Sequence, residues 1–107
     1  NREYHSYSGT WKGVPVTVTS HGVGEGGAVI GFESLCRAGA KVIIRVGTCG
    51  GMQKEITEGS LVVVKAACRE DGVTEKMLPL SYPAVADVEV IEALKRRAAC
   101  LSTAGLC

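Results

Sequence analysis

The stretch that most constrains the fold is KVIIRV, residues 41–46. Val42, Ile43, Ile44 and Val46 are β-branched, which suits a pleated strand better than a helix. Apolar side chains at successive positions need cover on both faces, as in the central strand of a sheet flanked by helices. Arg45 breaks the run with a charge that stays on at every working pH. Taking a guanidinium out of water requires an anion or several acceptors. Gly47, Thr48, Gly50 and Gly51 follow at once. Glycine amides, a hydroxyl and a guanidinium together make a cradle for a tetrahedral oxyanion. The competing reading is an arginine that reaches solvent from a strand end.

The flanking sequence supplies the rest of an α/β unit. VPVTVT, Val14–Thr19, alternates and predicts a strand. Residues 20–27 read as a loop. Residues 28–38 read as a helix, with Val29, Phe32 and Cys36 on one face and Gly39 as its C-terminal stop. Residues 60–67 predict a third strand. A second helix is expected from Val88 to about Leu101, with Ile91, Leu94, Ala98 and Leu101 on one stripe. Asp87 is its expected N-cap. Glu89 and Glu92 lie near its start, and Lys95, Arg96 and Arg97 towards its end, as the helix dipole favours. Strand, helix and covered strand make a right-handed βαβ unit. Ligands of such sheets bind at the carboxyl ends of the strands, where both glycine loops fall. Three strands and two helices leave an apolar sheet uncovered. The expectation is one incomplete domain, 1–107, with more protein on both sides or a partner.

Composition removes several function classes. Net charge is +1 and aromatic residues are 5 % of the chain, so neither a phosphate-backbone surface nor a set of base-stacking platforms is expected. No apolar run has the length of a membrane span. The five cysteines, Cys36, Cys49, Cys68, Cys100 and Cys107, are odd in number and form no C-x-x-C pair. That argues against zinc and against a disulfide framework. Buried thiols in a reducing, cytoplasmic setting are the simple expectation.

Other motifs each have a bland reading. Gly22, Gly24 and Gly27 fit G-x-G-x-x-G between a strand and a helix. A dinucleotide site would want an acid about 20 residues later. Arg45 stands at that strand end, which leaves an NADP oxidoreductase as a minor alternative to a tight turn without ligand. Cys49 is a candidate nucleophile, with a small buried pocket thiol favoured. His21 is a candidate general base, with a loop histidine bonded to backbone favoured. Arg69, Glu70, Asp71 and Gly72 read as a solvated turn with local ion pairs.

Three segments together resemble the nucleoside phosphorylase family, in its uridine phosphorylase and hexameric purine nucleoside phosphorylase branch. They are NREYHSYSGTWKG, SHGVGEGGAVIGFESLCRAGAKVIIRVGTCGG and ITEGSLVVVKAACREDGVTEKMLPLSYPAVADVEV. The resemblance implies a three-layer sandwich with a mixed, largely covered central sheet, of which this chain is only part. It implies phosphorolysis: inorganic phosphate, a substrate and not a cofactor, attacks the anomeric carbon of a nucleoside to give free base and ribose 1-phosphate. Arg45 would be the catalytic arginine and would grip phosphate with Gly47 and Thr48. Arg2 would complete the site of a neighbouring subunit, in a dimer or a hexamer built of dimers. Val23, Thr48, Cys49 and Gly50 would line the nucleoside. No metal is implied beyond a monovalent cation near Glu3, and Gly27 lacks the hydroxyl that would help hold one. NREY and YPAVADVEV lean towards uridine, SHGVG and GTCGG towards purines, with uridine slightly favoured. The upstream phosphate loop and the downstream ribose- and base-binding segments of the family are not in this sequence, so the stretch alone is expected to be inactive. A non-catalytic or truncated anion-binding module of the same fold is the alternative.

Overall fold

The structure, a computed structural model, describes residues 3–104, with side chains as far as Cys100. The chain divides into two compact units, Asn1–Val46 and Gly47–Cys107.

The first unit is a β-hairpin followed by a helix. Strand β1, Ser6–Trp11, pairs antiparallel with β2, Val14–Thr19, in the register Trp11↔Val14 to Ser6↔Thr19. Lys12 and Gly13 form the turn with φ of 49° and 81°. Two consecutive positive φ values are the signature of a type I′ hairpin, whose twist matches that of the strands. One face of the hairpin carries hydroxyls that bond across the strands. Ser6 Oγ lies 2.7 Å from Thr19 Oγ1, and Ser8 Oγ lies 2.9 Å from Thr17 Oγ1. The predicted strand at Val14–Thr19 is therefore present. Its partner β1 was not expected, because SYSGTW is polar at alternate positions and lacks an apolar signature.

Helix α1, Gly24–Arg37, starts earlier than the predicted 28. Its first turn absorbs glycines that sequence reading assigns to the loop. Gly27 is needed there, since a Cβ would stand 2.6 Å from the His21 carbonyl oxygen. The helix buries Ala28 and Gly31 and half-buries Val29, Phe32 and Leu35. Cys36, expected on the inner face, is exposed. The helix ends as predicted at Gly39, which has φ of 91°. The Gly39 N–H donates to the Cys36 carbonyl and the Ala40 N–H to the Leu35 carbonyl, both at 3.0 Å. This is a Schellman stop, for which the left-handed glycine is the natural residue.

The second unit contains a short ladder, β3 (Ala66–Ala67) with β4 (Ala84–Val85), antiparallel. Helix α2, Thr74–Met77, lies in the connection, and α3, Val88–Ala104, follows. Asp87 caps α3 as expected: its Oδ1 accepts from the Val90 N–H at 3.0 Å. Among the described side chains of its expected apolar stripe, Ile91 is buried, Ala98 half-buried and Leu94 exposed, and that of Leu101 lies outside them. Because α3 runs on to Ala104, Lys95, Arg96 and Arg97 lie in its middle and do not complement its C-terminal dipole. Lys95 instead pairs with Glu92 at 2.9 Å.

Two expected strands are not in ladders. Residues 41–46 form no strand among the described residues, and of 60–67 only Ala66–Ala67 does. The βαβ unit is correspondingly not formed, since both observed pairings are antiparallel. A strand exists through its neighbours' backbone groups, and apart from Ala66–Ala67 these segments have no ladder partner among the described residues. Most of their β-branched side chains stay exposed, Val42 at 62 % and Val46 at 86 %, while Val63 is half-buried.

Candidate functional site

Sequence reasoning places the site where β2 turns into α1 and at the end of the apolar run ending in Val46. The boundary between the units falls directly after Val46, so Arg45, His21, Val23 and Glu3 belong to the first unit. Gly47, Thr48, Cys49 and Gly50 belong to the second.

In the first unit the β2–α1 turn is tightly packed. Tyr4 donates its hydroxyl to the Gly27 carbonyl at 3.1 Å. A Cβ at Gly31 would lie 3.5 Å from the His21 Cβ and 3.6 Å from the Tyr4 ring. The missing side chains on this face of α1 let Tyr4 and His21 approach the helix. The His21 ring packs on Phe32, with centroids 6.3 Å apart and planes inclined by 56°.

Arg45 is exposed, where burial was expected; without strands beside residues 41–46 its side chain is not covered. The Arg45 Nε–H donates to His21 Nε2 at 3.3 Å. No carboxylate among the described residues pairs with it, and its two terminal nitrogens have no partner there. His21 is thus held by a guanidinium and not by backbone, which corrects the favoured sequence reading. Its Nδ1 is buried and has no hydrogen-bond partner among the described residues.

Val23 is the residue before α1 and is 94 % exposed. The carboxyl of Glu3 sits against Gly22, where a Cβ would be only 2.5 Å away. The monovalent cation expected near Glu3 would draw on this turn. Gly27 offers no side-chain oxygen, and a side chain there would meet the His21 carbonyl. Arg2 lies outside the described residues.

In the second unit Gly47, Thr48, Cys49 and Gly50 form an exposed, irregular segment. The Thr48 hydroxyl has no partner among the described residues, and the Cys49 thiol is exposed, not buried as expected. Cys68 and Cys100 are exposed as well, and Cys107 lies outside the described residues. Gly51 packs tightly, since a Cβ there would be 2.8 Å from Ile56 Cγ2.

The turn 69–72 differs most from its sequence reading. Arg69 makes no ion pair among the described residues. Its Nη2 donates to the carbonyls of Thr74 at 2.6 Å and Leu78 at 2.8 Å. Its Nη1 donates to the carbonyls of Pro79 and Tyr82, and its Nε to Thr74 Oγ1. Asp71 accepts from the Val73 and Thr74 N–H groups and from the Thr74 hydroxyl. The Thr74 hydroxyl above all, then the backbone N–H groups, hold the Asp71 carboxyl below the usual carboxylate range.

Among the described residues no helix is long and apolar enough to cross a membrane, and no three acidic, histidine or cysteine side chains converge as a metal site would need. Residues 1–104 match the family model described as the phosphorylase superfamily. The uridine phosphorylase of Thermococcus kodakarensis is 45 % identical over 94 residues, which are 88 % of this chain and 34 % of that protein. The uridine phosphorylase of Treponema pallidum is 45 % identical over 98 residues, 92 % of this chain and 38 % of its own length. The purine nucleoside phosphorylase of Plasmodium vivax is 46 % identical over 97 residues, 90 % of this chain and 40 % of its own length. The chain thus spans between a third and two fifths of these relatives.

Proposed function

Because the chain belongs to the phosphorylase superfamily, we propose that it is part of a nucleoside phosphorylase subunit, one that splits a nucleoside with inorganic phosphate into free base and ribose 1-phosphate. The observation that carries this reading is Arg45: its two terminal nitrogens are free of any protein carboxylate among the described residues. A guanidinium presented this way matches the fork geometry of a phosphate. The Gly47 amide and Thr48, two and three residues on, supply the further donors. Phosphate held there serves as nucleophile, and its negative charge stabilises the cationic sugar of the transition state. Such a reaction needs no organic cofactor. Val23, Cys49 and Gly50 line the nucleoside.

The largely exposed β-branched residues of 41–46 and 60–67 become strands of a mixed central sheet, in a three-layer sandwich, once the remainder of the subunit pairs with them. The fraction of each relative that the chain covers supports this. The enzyme works in the cytoplasm. Relatives of both named specificities match at nearly equal identity, so the slight preference for uridine rests on NREY and YPAVADVEV. The test is base release from uridine and inosine by the complete subunit, with and without phosphate. Release independent of phosphate, or none from either nucleoside, overturns the reading.

Arg2 acts from a neighbouring subunit. In mixed oligomers of Arg2→Ala and Arg45→Ala proteins, each nearly inactive alone, some hybrid sites regain both arginines and activity returns in part. No recovery in verified hybrids places Arg2 elsewhere.

A further inference from the structure

We propose that His21 is a positioning residue for Arg45, holding the guanidinium so that its two terminal nitrogens form an end-on fork for phosphate. The inference rests on the phosphate reading of Arg45 given above. The contact is Arg45 Nε–H to His21 Nε2 at 3.3 Å. An arginine can meet an oxyanion side-on, through Nε and one terminal nitrogen, or end-on, through both terminal nitrogens. With Nε engaged by His21, the end-on mode is the one left open.

The acceptor role fixes the state of the ring. Nε2 can accept only if it carries no proton, so the neutral ring carries its proton on Nδ1. Nδ1 is buried and unpartnered among the described residues. A donor left unsatisfied is costly, and a ring held only for packing would gain by turning Nδ1 towards an acceptor. The ring is instead anchored on its other side, against Phe32. Its Cβ fits against α1 because Gly31 has no side chain. The turn, the helix and the aromatic contact together aim Nε2 at Arg45. A rigid acceptor at Nε limits the rotamers of a long side chain that is otherwise exposed, so less freedom is lost when phosphate binds.

The test uses the complete subunit and separates KM for phosphate from KM for nucleoside. His21→Leu keeps apolar bulk but removes the acceptor. It should raise the phosphate KM about tenfold, the scale of one hydrogen bond to a charged group, and leave the nucleoside KM and kcat nearly unchanged. His21→Gln sets an amide oxygen near the Nε2 position and should restore most of the loss. His21→Asn sets its oxygen nearer Nδ1 and should not restore it; this variant carries the same expectation if His21→Leu fails to fold. In an Arg45→Ala background, His21→Leu should add no further loss. Equal phosphate KM in wild type, Leu and Asn variants overturns the proposal, as does an equal loss in the Gln and Leu variants. The Arg45→Ala single variant separates the two levels. If its phosphate dependence is normal, the phosphate reading itself fails. If it loses phosphate use while His21→Leu does not, only the role of His21 fails.

Discussion

Arg45 and Arg69 are the same residue type, each following an apolar run, and they meet opposite surroundings. Arg69 spends its donors on its own chain: the carbonyls of Thr74, Leu78, Pro79 and Tyr82 and the Thr74 hydroxyl. It closes a loop and has no fork left to offer. Arg45 spends one donor, on His21, and its terminal nitrogens have no partner among the described residues. An arginine satisfied by backbone carbonyls stabilises a fold. One held by a single side-chain acceptor keeps donors for a further partner, which the proposed function takes to be phosphate. What distinguishes them is where the acceptors are, and neither case is visible in the residue type.

The comparison is broken most directly at Arg45. Arg45→Ala should cost about 2–5 kcal/mol in the step that uses phosphate, roughly 30- to several-thousand-fold in rate. Folding stability should change little, because the side chain is exposed. Arg45→Lys should recover only part, since an ammonium cannot reproduce the fork. Rate profiles over phosphate concentration, beside urea unfolding, read both sides of this prediction.

Arg69→Ala should do the reverse. It leaves several carbonyls of the 74–82 loop without their charged donor and should lower stability by about 2–4 kcal/mol. The folded fraction should keep its phosphate KM. Arg69→Lys should rescue poorly, because five separate acceptors are met by one planar group. An Arg69→Ala protein that unfolds at the wild-type urea concentration but binds phosphate weakly would exchange the roles assigned to the two arginines.

The smallest effect is expected at Asp71, which braces the Arg69 loop through Thr74. Its folded pKa is lowered from 3.8. A carboxyl lowered by folding contributes stability above its unfolded pKa and loses it as pH falls through the folded value. The Val73 and Thr74 amide resonances should therefore shift on acidification, at a pH below that of an ordinary aspartate. Asp71→Asn should abolish that transition. Resonances that move with a midpoint at the ordinary value would mean the loop is not braced in solution.

Several elements were legible in the sequence because their causes are local. Alternation in VPVTVT, the glycine after α1 and the aspartate before α3 each act within a few residues, and the structure has β2, a Schellman stop and an Asp87 cap at those places. The hairpin turn at Lys12–Gly13 is equally local and its W-K-G signal was there to be read. The earlier start of α1 was not, because glycine is a poor helix former and only the approach of His21 and Tyr4 makes it necessary at Gly27 and Gly31. Residues 41–46 show the same divide from the other side. Their β-branched composition states a preference for a strand, but a ladder also needs partners.

For the candidate site, the sequence alone singled out Arg45, Thr48 and the glycines around them, since a charge inside an apolar run followed by glycines is a chemical pattern that needs no coordinates. That His21 meets Arg45 across 24 positions of chain, and that Arg69 turns inward to carbonyls up to 13 residues away, only the tertiary structure decided. Hydrogen-bond partners of a long side chain are chosen by where the backbone brings acceptors in space, and that information is spread over the whole fold.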